Sequence, residues 1–140
     1  MPPPPAPERI TYTGHGGAPV RALLAPARRA GDGLAPGLLL IHEVFGLDAH
    51  FEDLAARFAD LGFTVLVPDL WSREGLPGPA PSRSEPAPPW EPETLHAALE
   101  SLPDRRALGD LEAGLAWLAG RADTDARRLA GCGFGLGGNL

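Results

Sequence analysis

The last ten residues constrain the fold of this chain more than any other stretch. They read Gly131-Cys132-Gly133-Phe134-Gly135-Leu136-Gly137-Gly138-Asn139-Leu140. The apolar run before them predicts a buried strand, and the glycines predict a sharp turn into the start of a helix. Glycine fits the flanks of such a turn because a side chain there would strike the strand or the helix. The spacing Gly133-x-Gly135-x-Gly137 therefore places Gly135 at the tip of the turn.

The composition predicts a single soluble globular domain. The 140 residues are 44% hydrophobic and 21% charged, which is enough apolar material for one core. The formal net charge of −6 argues against nucleic acid or an anionic membrane as the main partner. The single cysteine excludes a disulfide within the chain.

The N-terminal residues 1–8 are rich in proline and are expected to form a disordered tail. They lack the basic segment and the apolar core of a signal peptide. No apolar run approaches the roughly 20 residues that a membrane helix needs. These features predict a cytoplasmic location.

The segment after the tail predicts an antiparallel hairpin. Residues 9–12 and 20–25 have strand patterns, and the glycines at 14–17 predict the turn between them. Residues 26–37 are rich in proline, glycine and arginine and predict a loop.

Two unbroken apolar runs, 38–41 and 64–67, are typical of strands buried on both faces of a parallel sheet. Between them, Asp48 is expected to cap a helix and Gly62 to end it. The buried face of that helix has the i, i+3, i+4, i+7 spacing and comprises Phe51, Leu54, Ala55 and Phe58.

The prolines of residues 72–92 exclude regular structure and predict a long surface loop or lid. Helices are expected at 93–102 and from Asp104 onward, the second with an apolar stripe of Leu108, Leu111, Leu115 and Leu118. Residues 123–125 predict a turn, and the final strand is expected at about 128–132.

This order of elements predicts the α/β class. Right-handed crossovers give a mostly parallel sheet with helices on both faces and an N-terminal antiparallel hairpin. Residues 9–140 then form one partial domain, truncated after the strand that leads into the glycine turn.

Three motifs agree in order and spacing with one known family. They are His-Glu-Val-Phe-Gly-Leu at 42–47, Thr-Val-Leu-Val-Pro-Asp-Leu-Trp at 64–71 and Gly-Phe-Gly-Leu-Gly-Gly at 133–138. With them the chain resembles the dienelactone hydrolase family of α/β-hydrolases, from about residue 9 to the end. The resemblance implies hydrolysis of ester or lactone bonds in small carboxylic acids by a Cys-His-Asp triad, without metal or organic cofactor.

The resemblance also implies site residues. Gly135 stands where the family has its nucleophilic cysteine, at the tip of a nucleophile elbow. Glu43 is the carboxylate held near that thiol, and the N–H groups of Val44 and Leu136 form the oxyanion hole. The family's Asp and His have no matching positions in this sequence, so the chain as given is expected to be inactive.

Other residues are weaker candidates. Arg73 or Arg83 lies in about the region where family members bind the substrate carboxylate, and Trp71, just after a strand, is expected to contact a ligand. Cys132 is expected to be inert core, since its side chain points away from the face of residue 135. His42 is expected to be a hydrogen-bonded histidine that supports its loop.

Two alternative interpretations of the motifs stay open at this point. The first is a metal cluster of His42, Glu43, Asp48 and His50, although these residues do not follow a recognised metal-ligand spacing. Gly133-x-Gly135-x-x-Gly138 also fits a dinucleotide-binding loop, although that motif alone is weak.

The rival class is a non-catalytic relative that binds a small ligand or a partner chain. Uncovered sheet surface after the last strand further predicts low stability or self-association.

Overall fold

The computed structural model describes residues 6–28, 33–72 and 92–140. The strands in these ranges are β1 (Glu8–Thr13), β2 (Pro19–Ala25), β3 (Ala35–Ile41), β4 (Thr64–Pro68) and β5 (Thr124–Gly133). The helices are α1 (Ala49–Asp60), α2 (Pro92–Ser101), α3 (Asp104–Ala119) and α4 (Leu136–Asn139), with a 3-10 turn at His15–Gly17. None of the described helices is both long and apolar enough to cross a bilayer.

The strands form one mixed sheet in the order β1-β2-β4-β3-β5. β2 pairs antiparallel with β1 and with β4, whereas β3 pairs parallel with β4 and with β5. Among the described strands only β2 therefore runs against the rest. The expected hairpin and the expected parallel strands are both confirmed.

Helices cover both faces of the sheet, as expected. Leu38 and Leu40 of β3 pack in the cluster that includes α1, whereas Leu39 packs in the cluster that includes α3. Val65 and Leu66 of β4 divide between the two clusters in the same way. Alternate residues of a strand point to opposite faces, so an unbroken apolar run fills both cores.

Helix α1 begins and ends where its sequence predicts. The Phe51 N–H donates to Asp48 Oδ1 at 3.1 Å, so Asp48 is the N-cap. Gly62 follows the helix with a φ of 101°, a conformation that glycine adopts without steric cost.

Several predicted boundaries are wrong. β1 begins at Glu8, inside the expected tail; β3 begins at Ala35, inside the expected loop; and β5 begins at Thr124, inside the expected turn. Helix α2 begins at Pro92, inside the segment expected to have no regular structure, because proline is tolerated in the first turn of a helix.

β3 and β5 each begin earlier than expected because Ala35 pairs with Thr124. A register shift between Pro36 and Gly37 separates this pairing from the rest of the two strands. Neither local sequence reveals a pairing between such distant segments.

Parts of two other predictions lie outside the described residues. These are the tail over residues 1–5 and the proline-rich loop over residues 73–91. Arg73 and Arg83 fall in the second of these segments, so their expected roles remain predictions.

Candidate active site

The glycine turn joins β5 to α4 in the expected strand-turn-helix arrangement. Gly135 has φ 53° and ψ −116°, a backbone conformation that L side chains rarely adopt. The Gly137 N–H donates to the Phe134 carbonyl at 2.9 Å, and the Gly138 N–H donates to the Gly135 carbonyl at 3.1 Å. These bonds close the turn and leave Gly135 exposed at its tip.

The two flanking glycines are required by backbone contacts. A Cβ on Gly133 would overlap the carbonyl of Gly137. A Cβ on Gly137 would lie 2.6 Å from the Ile41 carbonyl oxygen and 2.8 Å from that of His42. Backbone atoms cannot rotate aside, so a side chain at either position would force the turn away from β3.

Glu43 lies beside the tip of the turn. Ile41, the last residue of β3, is in register with Gly133, the last residue of β5. The segments that follow the two parallel strands therefore meet at the same edge of the sheet. A Cβ built on Gly135 would lie 3.2 Å from Glu43 Oε1, and the nearest other atoms are also from Glu43.

The polar groups around the tip have unused hydrogen-bonding capacity. In the part of the chain that the structure describes, the half-buried Glu43 carboxylate has no hydrogen-bond or ion-pair partner. Within the same ranges, the backbone N–H groups of Val44 and Leu136 have no acceptor. A carboxylate and two free donors are thus carried by residues at or next to the tip.

Two hydrogen bonds to the Glu43 carbonyl oxygen fix the peptide between Glu43 and Val44. Its carbonyl oxygen lies 2.5 Å from His42 Nδ1 and also accepts the Gly46 N–H at 3.1 Å. In a trans peptide the N–H points opposite to the carbonyl. Fixing the Glu43 oxygen therefore fixes the direction of the Val44 N–H.

The tautomer of His42 follows from its two partners. The Leu70 N–H donates to Nε2 at 3.0 Å, so Nε2 is unprotonated and Nδ1 donates to the Glu43 carbonyl. Burial lowers the pKa of this fully buried imidazole, and the Glu43 hydrogen bond and the charges of Asp69 and Asp48 oppose that shift. His42 is a neutral loop support, which agrees with the expectation.

An ion pair lies behind His42. Arg21 Nη2 is 2.9 Å from Asp69 Oδ2, and Asp69 Oδ1 is 4.0 Å from His42 Nε2. Burial raises the pKa of the Asp69 carboxyl, and the neighbouring His42 imidazole and Arg21 guanidinium partly offset that rise. Asp69 Oδ1 also accepts the Trp71 N–H at 3.0 Å, which fixes the chain just after β4.

Trp71 has a role that the sequence did not indicate. Its side chain is fully buried, and its indole N–H donates to the Val44 carbonyl at 3.0 Å. It therefore anchors the loop that carries the Val44 N–H. The expected contact between Trp71 and a ligand stays a prediction, and with the side chain buried it requires movement of this loop.

Two exposed aromatic side chains near the tip were also missed. Phe134 precedes Gly135, and Phe45 follows Val44; both are about half exposed. The Phe134 ring packs 6.4 Å from the ring of Phe51 on α1. In the sequence, the signal for this apolar ligand surface was Phe134, a large apolar residue in a turn otherwise rich in glycine.

The remaining candidates lie as follows. Cys132 is half-buried against the cluster under α1. Over the residues described, the structure contains no cluster of three or more His, Cys, Asp or Glu side chains that could hold a metal ion.

This fold and turn define the class of protein, an α/β-hydrolase. The family model of the dienelactone hydrolase family matches residues 20–140. The chain therefore belongs to the dienelactone hydrolase family.

Named relatives match most of this chain. A Salmonella typhi protein named "Putative carboxymethylenebutenolidase" is 32% identical over 112 residues, which are 80% of this chain and 38% of that protein. A Bradyrhizobium protein named "Probable 2-oxo-3-(5-oxofuran-2-ylidene)propanoate lactonase" is 30% identical over 80% of this chain and 41% of its own length.

Two solved structures from this family also resemble the fold. The crystal structure of a Klebsiella pneumoniae protein named "Putative Dienelactone Hydrolase" has a TM-score of 0.76 and 28% identity, and the match covers 94% of this chain and 50% of that protein's chain. A dienelactone hydrolase-like promiscuous phosphotriesterase from metagenomic libraries has a TM-score of 0.66 and 26% identity, with the same coverage. The chain spans about half the length of these structures and about two fifths of the two sequence relatives.

Proposed function

We propose that this chain is the carbonyl-binding part of a hydrolase that acts on ester or lactone bonds of small carboxylic acids. The observation that carries the proposal is the position of Glu43 beside the Gly135 tip. The residue after each of them, Val44 and Leu136, has an N–H group without an acceptor in the described part of the chain. The names of two relatives, a butenolidase and a lactonase, support the substrate class.

In this proposal the substrate carbonyl binds over Gly135. Its oxygen accepts hydrogen bonds from the N–H groups of Val44 and Leu136, which stabilise the negative charge of a tetrahedral intermediate. Phe45 and Phe134 offer apolar surface to the rest of the ester or lactone.

The glycine at the tip excludes catalysis through a covalent intermediate. Gly135 has no atom that can attack a carbonyl, so this chain should form no acyl-enzyme intermediate. Gly135 is also the observation that favours the second candidate, a non-catalytic protein that binds a small ligand or a partner chain. A dinucleotide is disfavoured because the Glu43 carboxylate beside the turn would repel a pyrophosphate.

A restored nucleophile tests the leading proposal. In a Cys132→Ala background, Gly135→Cys places a thiol at the tip, and Ala126→Cys places a control thiol on an exposed part of β5. Each thiol is treated with p-nitrophenyl acetate and, separately, with dithiodipyridine, and the ratio of the two rates is compared. Oxyanion donors accelerate acyl transfer but not disulfide exchange, so the ratio should be higher for the tip thiol.

Equal ratios in the two variants would contradict the proposed oxyanion hole. In that case, saturable binding of small carboxylic esters by the unmodified chain would favour the non-catalytic candidate.

A further inference from the structure

We propose that Glu43 and Gly135 form a water site from which an ester or lactone carbonyl is hydrolysed directly, without a covalent intermediate. The inference rests on the hydrolase function proposed above and adds a reaction route to it. The expectation that the chain is inactive considered only the covalent route.

The geometry of the tip provides the place for the water. A Cβ on Gly135 would meet Glu43 Oε1 first, at 3.2 Å, with Glu43 Cγ and Cδ at 3.5 and 3.7 Å. Because Gly135 has no side chain, the space beyond this Cβ position is left open, and a water there, farther from the Gly135 Cα, can donate a hydrogen bond to that carboxylate oxygen. Gly135 is exposed, so solvent reaches this place, and a side chain at the tip would fill it.

Glu43 is free to act as the base. Its carboxylate has no hydrogen-bond or ion-pair partner among the residues that the structure describes. His42, its neighbour, is unsuited because the Leu70 N–H occupies Nε2 and the Glu43 carbonyl occupies Nδ1–H. Cys132 is half-buried against the apolar cluster under α1.

The reaction balances with water as the second substrate. Glu43 Oε1 takes one proton of the water while the water oxygen bonds to the carbonyl carbon. The carbonyl π electrons move to oxygen, where the Val44 and Leu136 N–H groups stabilise them. The intermediate then collapses, the bond to the leaving oxygen breaks, and that oxygen takes the proton from Glu43. The products are an acid and an alcohol, or one hydroxy acid from a lactone, and Glu43 returns as a carboxylate.

Substitution of the base gives the first test. The full 140-residue chain should hydrolyse p-nitrophenyl acetate above the buffer rate, and Glu43→Gln should lower the excess rate by about 100-fold or more. Glu112→Gln is the matched control, because Glu112 is an exposed carboxylate on α3, on the opposite face of the sheet. That variant and Cys132→Ala should keep the wild-type rate.

Filling the water site gives the second test. Gly135→Ala places a methyl group between the Gly135 Cα and the proposed water, 3.2 Å from Glu43 Oε1, and should also abolish the excess rate by crowding the water out. Each variant's fold is checked by its circular dichroism melt. Protein quenched during turnover should show no added acetyl mass. If Gly135→Ala does not fold, Glu43→Asp replaces it and should keep more activity than Glu43→Gln.

Three results would overturn the inference: no rate above buffer from the folded chain, an excess rate that survives Glu43→Gln, or an acetylated protein during turnover. These failures are separate from failure of the proposed function. A Gly135→Cys thiol that is acylated preferentially, in a chain whose unmodified form is inactive, keeps the oxyanion hole and removes the water route.

Discussion

The glycines of the turn after β5 occupy their positions for different physical reasons. At Gly133 and Gly137 an added Cβ would strike backbone carbonyls, so the packing of the turn on β3 excludes any side chain. At Gly135 the three atoms nearest to an added Cβ all belong to the Glu43 side chain, and φ is 53°. A side chain at the tip therefore meets a side chain that can move and not backbone, at the cost of backbone strain of about 1–3 kcal/mol.

His42 makes a pH-dependent contribution to stability. Burial lowers its folded-state pKa below the unfolded value of about 6.5. Below that value the unfolded chain binds a proton that the folded chain does not bind. The contribution of neutral His42 is therefore complete above about pH 6.5 and is lost as the pH falls.

We predict that His42→Gln reduces the loss of melting temperature between pH 7.5 and pH 5. A glutamine amide can donate to the Glu43 carbonyl and accept from the Leu70 N–H, but it does not titrate. Burial raises the pKa of Asp69, which acts in the opposite direction, but Asp69 is present in both proteins. The measurement is the melting temperature of each protein across this pH range.

His42→Leu serves as the control, since it removes both hydrogen bonds as well as the titration. It should melt lower than His42→Gln at every pH, because the Leu70 N–H loses its acceptor and the Glu43 carbonyl keeps only the Gly46 N–H. Parallel pH profiles for wild type and His42→Gln would show that His42 does not cause the acid sensitivity.

At the scale of elements, the sequence predicted each strand and helix where one local pattern was sufficient. The apolar runs of β3 and β4 and the Asp48 cap were of this kind. The starts of β3 and β5 were not, because Ala35 is held by its pairing with Thr124, which is 89 residues away in the chain.

The candidate site divides in the same way. The sequence motifs indicated Glu43 and Gly135, and the parallel register of β3 and β5 brings them together. The bond from the Trp71 indole to the Val44 carbonyl could not be predicted, because it joins two loops through a side chain whose direction no periodicity specifies. Local patterns therefore identified the residues beside the tip, whereas the hydrogen bonds that hold their loops are visible only in the structure.

Helix α3 is fitted to the 3-10 turn at His15 by one glycine. A Cβ on Gly109 would overlap His15 Nδ1 and lie 2.8 and 2.9 Å from its Cγ and Cβ. Rotation of the ring does not clear the contact with the His15 Cβ. The His15 backbone is fixed by donation of its N–H to Asp110 Oδ1 at 2.8 Å.

We predict that the effect of Gly109→Ala changes sign with residue 15. In wild type it should destabilise the chain by about 1–3 kcal/mol, because the added methyl overpacks the contact. In a His15→Gly background, which removes the Cβ as well as the ring, it should stabilise by up to about 1 kcal/mol, because alanine is a better helix former than glycine. Urea unfolding of the four proteins gives the coupling free energy.

Gly120→Ala is the matched control for that cycle, since a Cβ there meets atoms only at 3.5 Å or more. Its effect should be the same with either residue at position 15. A coupling free energy near zero for Gly109→Ala would mean that the two elements separate at no cost.

At the scale of the whole molecule, the two outer strands of the described sheet differ in protection. β1 exposes Glu8, Arg9 and two threonines, and charged or polar side chains discourage pairing at a sheet edge. β5 exposes Arg127 and Arg128 near its register shift, but its second half exposes Ala130 and Gly131 instead. That second half is a short, uncharged edge, open to another strand.

We predict that the chain self-associates through the second half of β5. Ala130→Lys adds a charge to the uncharged edge and should shift the population toward monomer, because pairing would bury or crowd an ammonium group. Ala122→Lys is the control, since it adds the same charge at an exposed residue before β5 begins. Sedimentation velocity over a range of protein concentrations measures the monomer fraction of all three proteins. If both lysine variants dissociate equally, net charge and not the edge controls association; a wild type that stays monomeric throughout removes the edge as an interface.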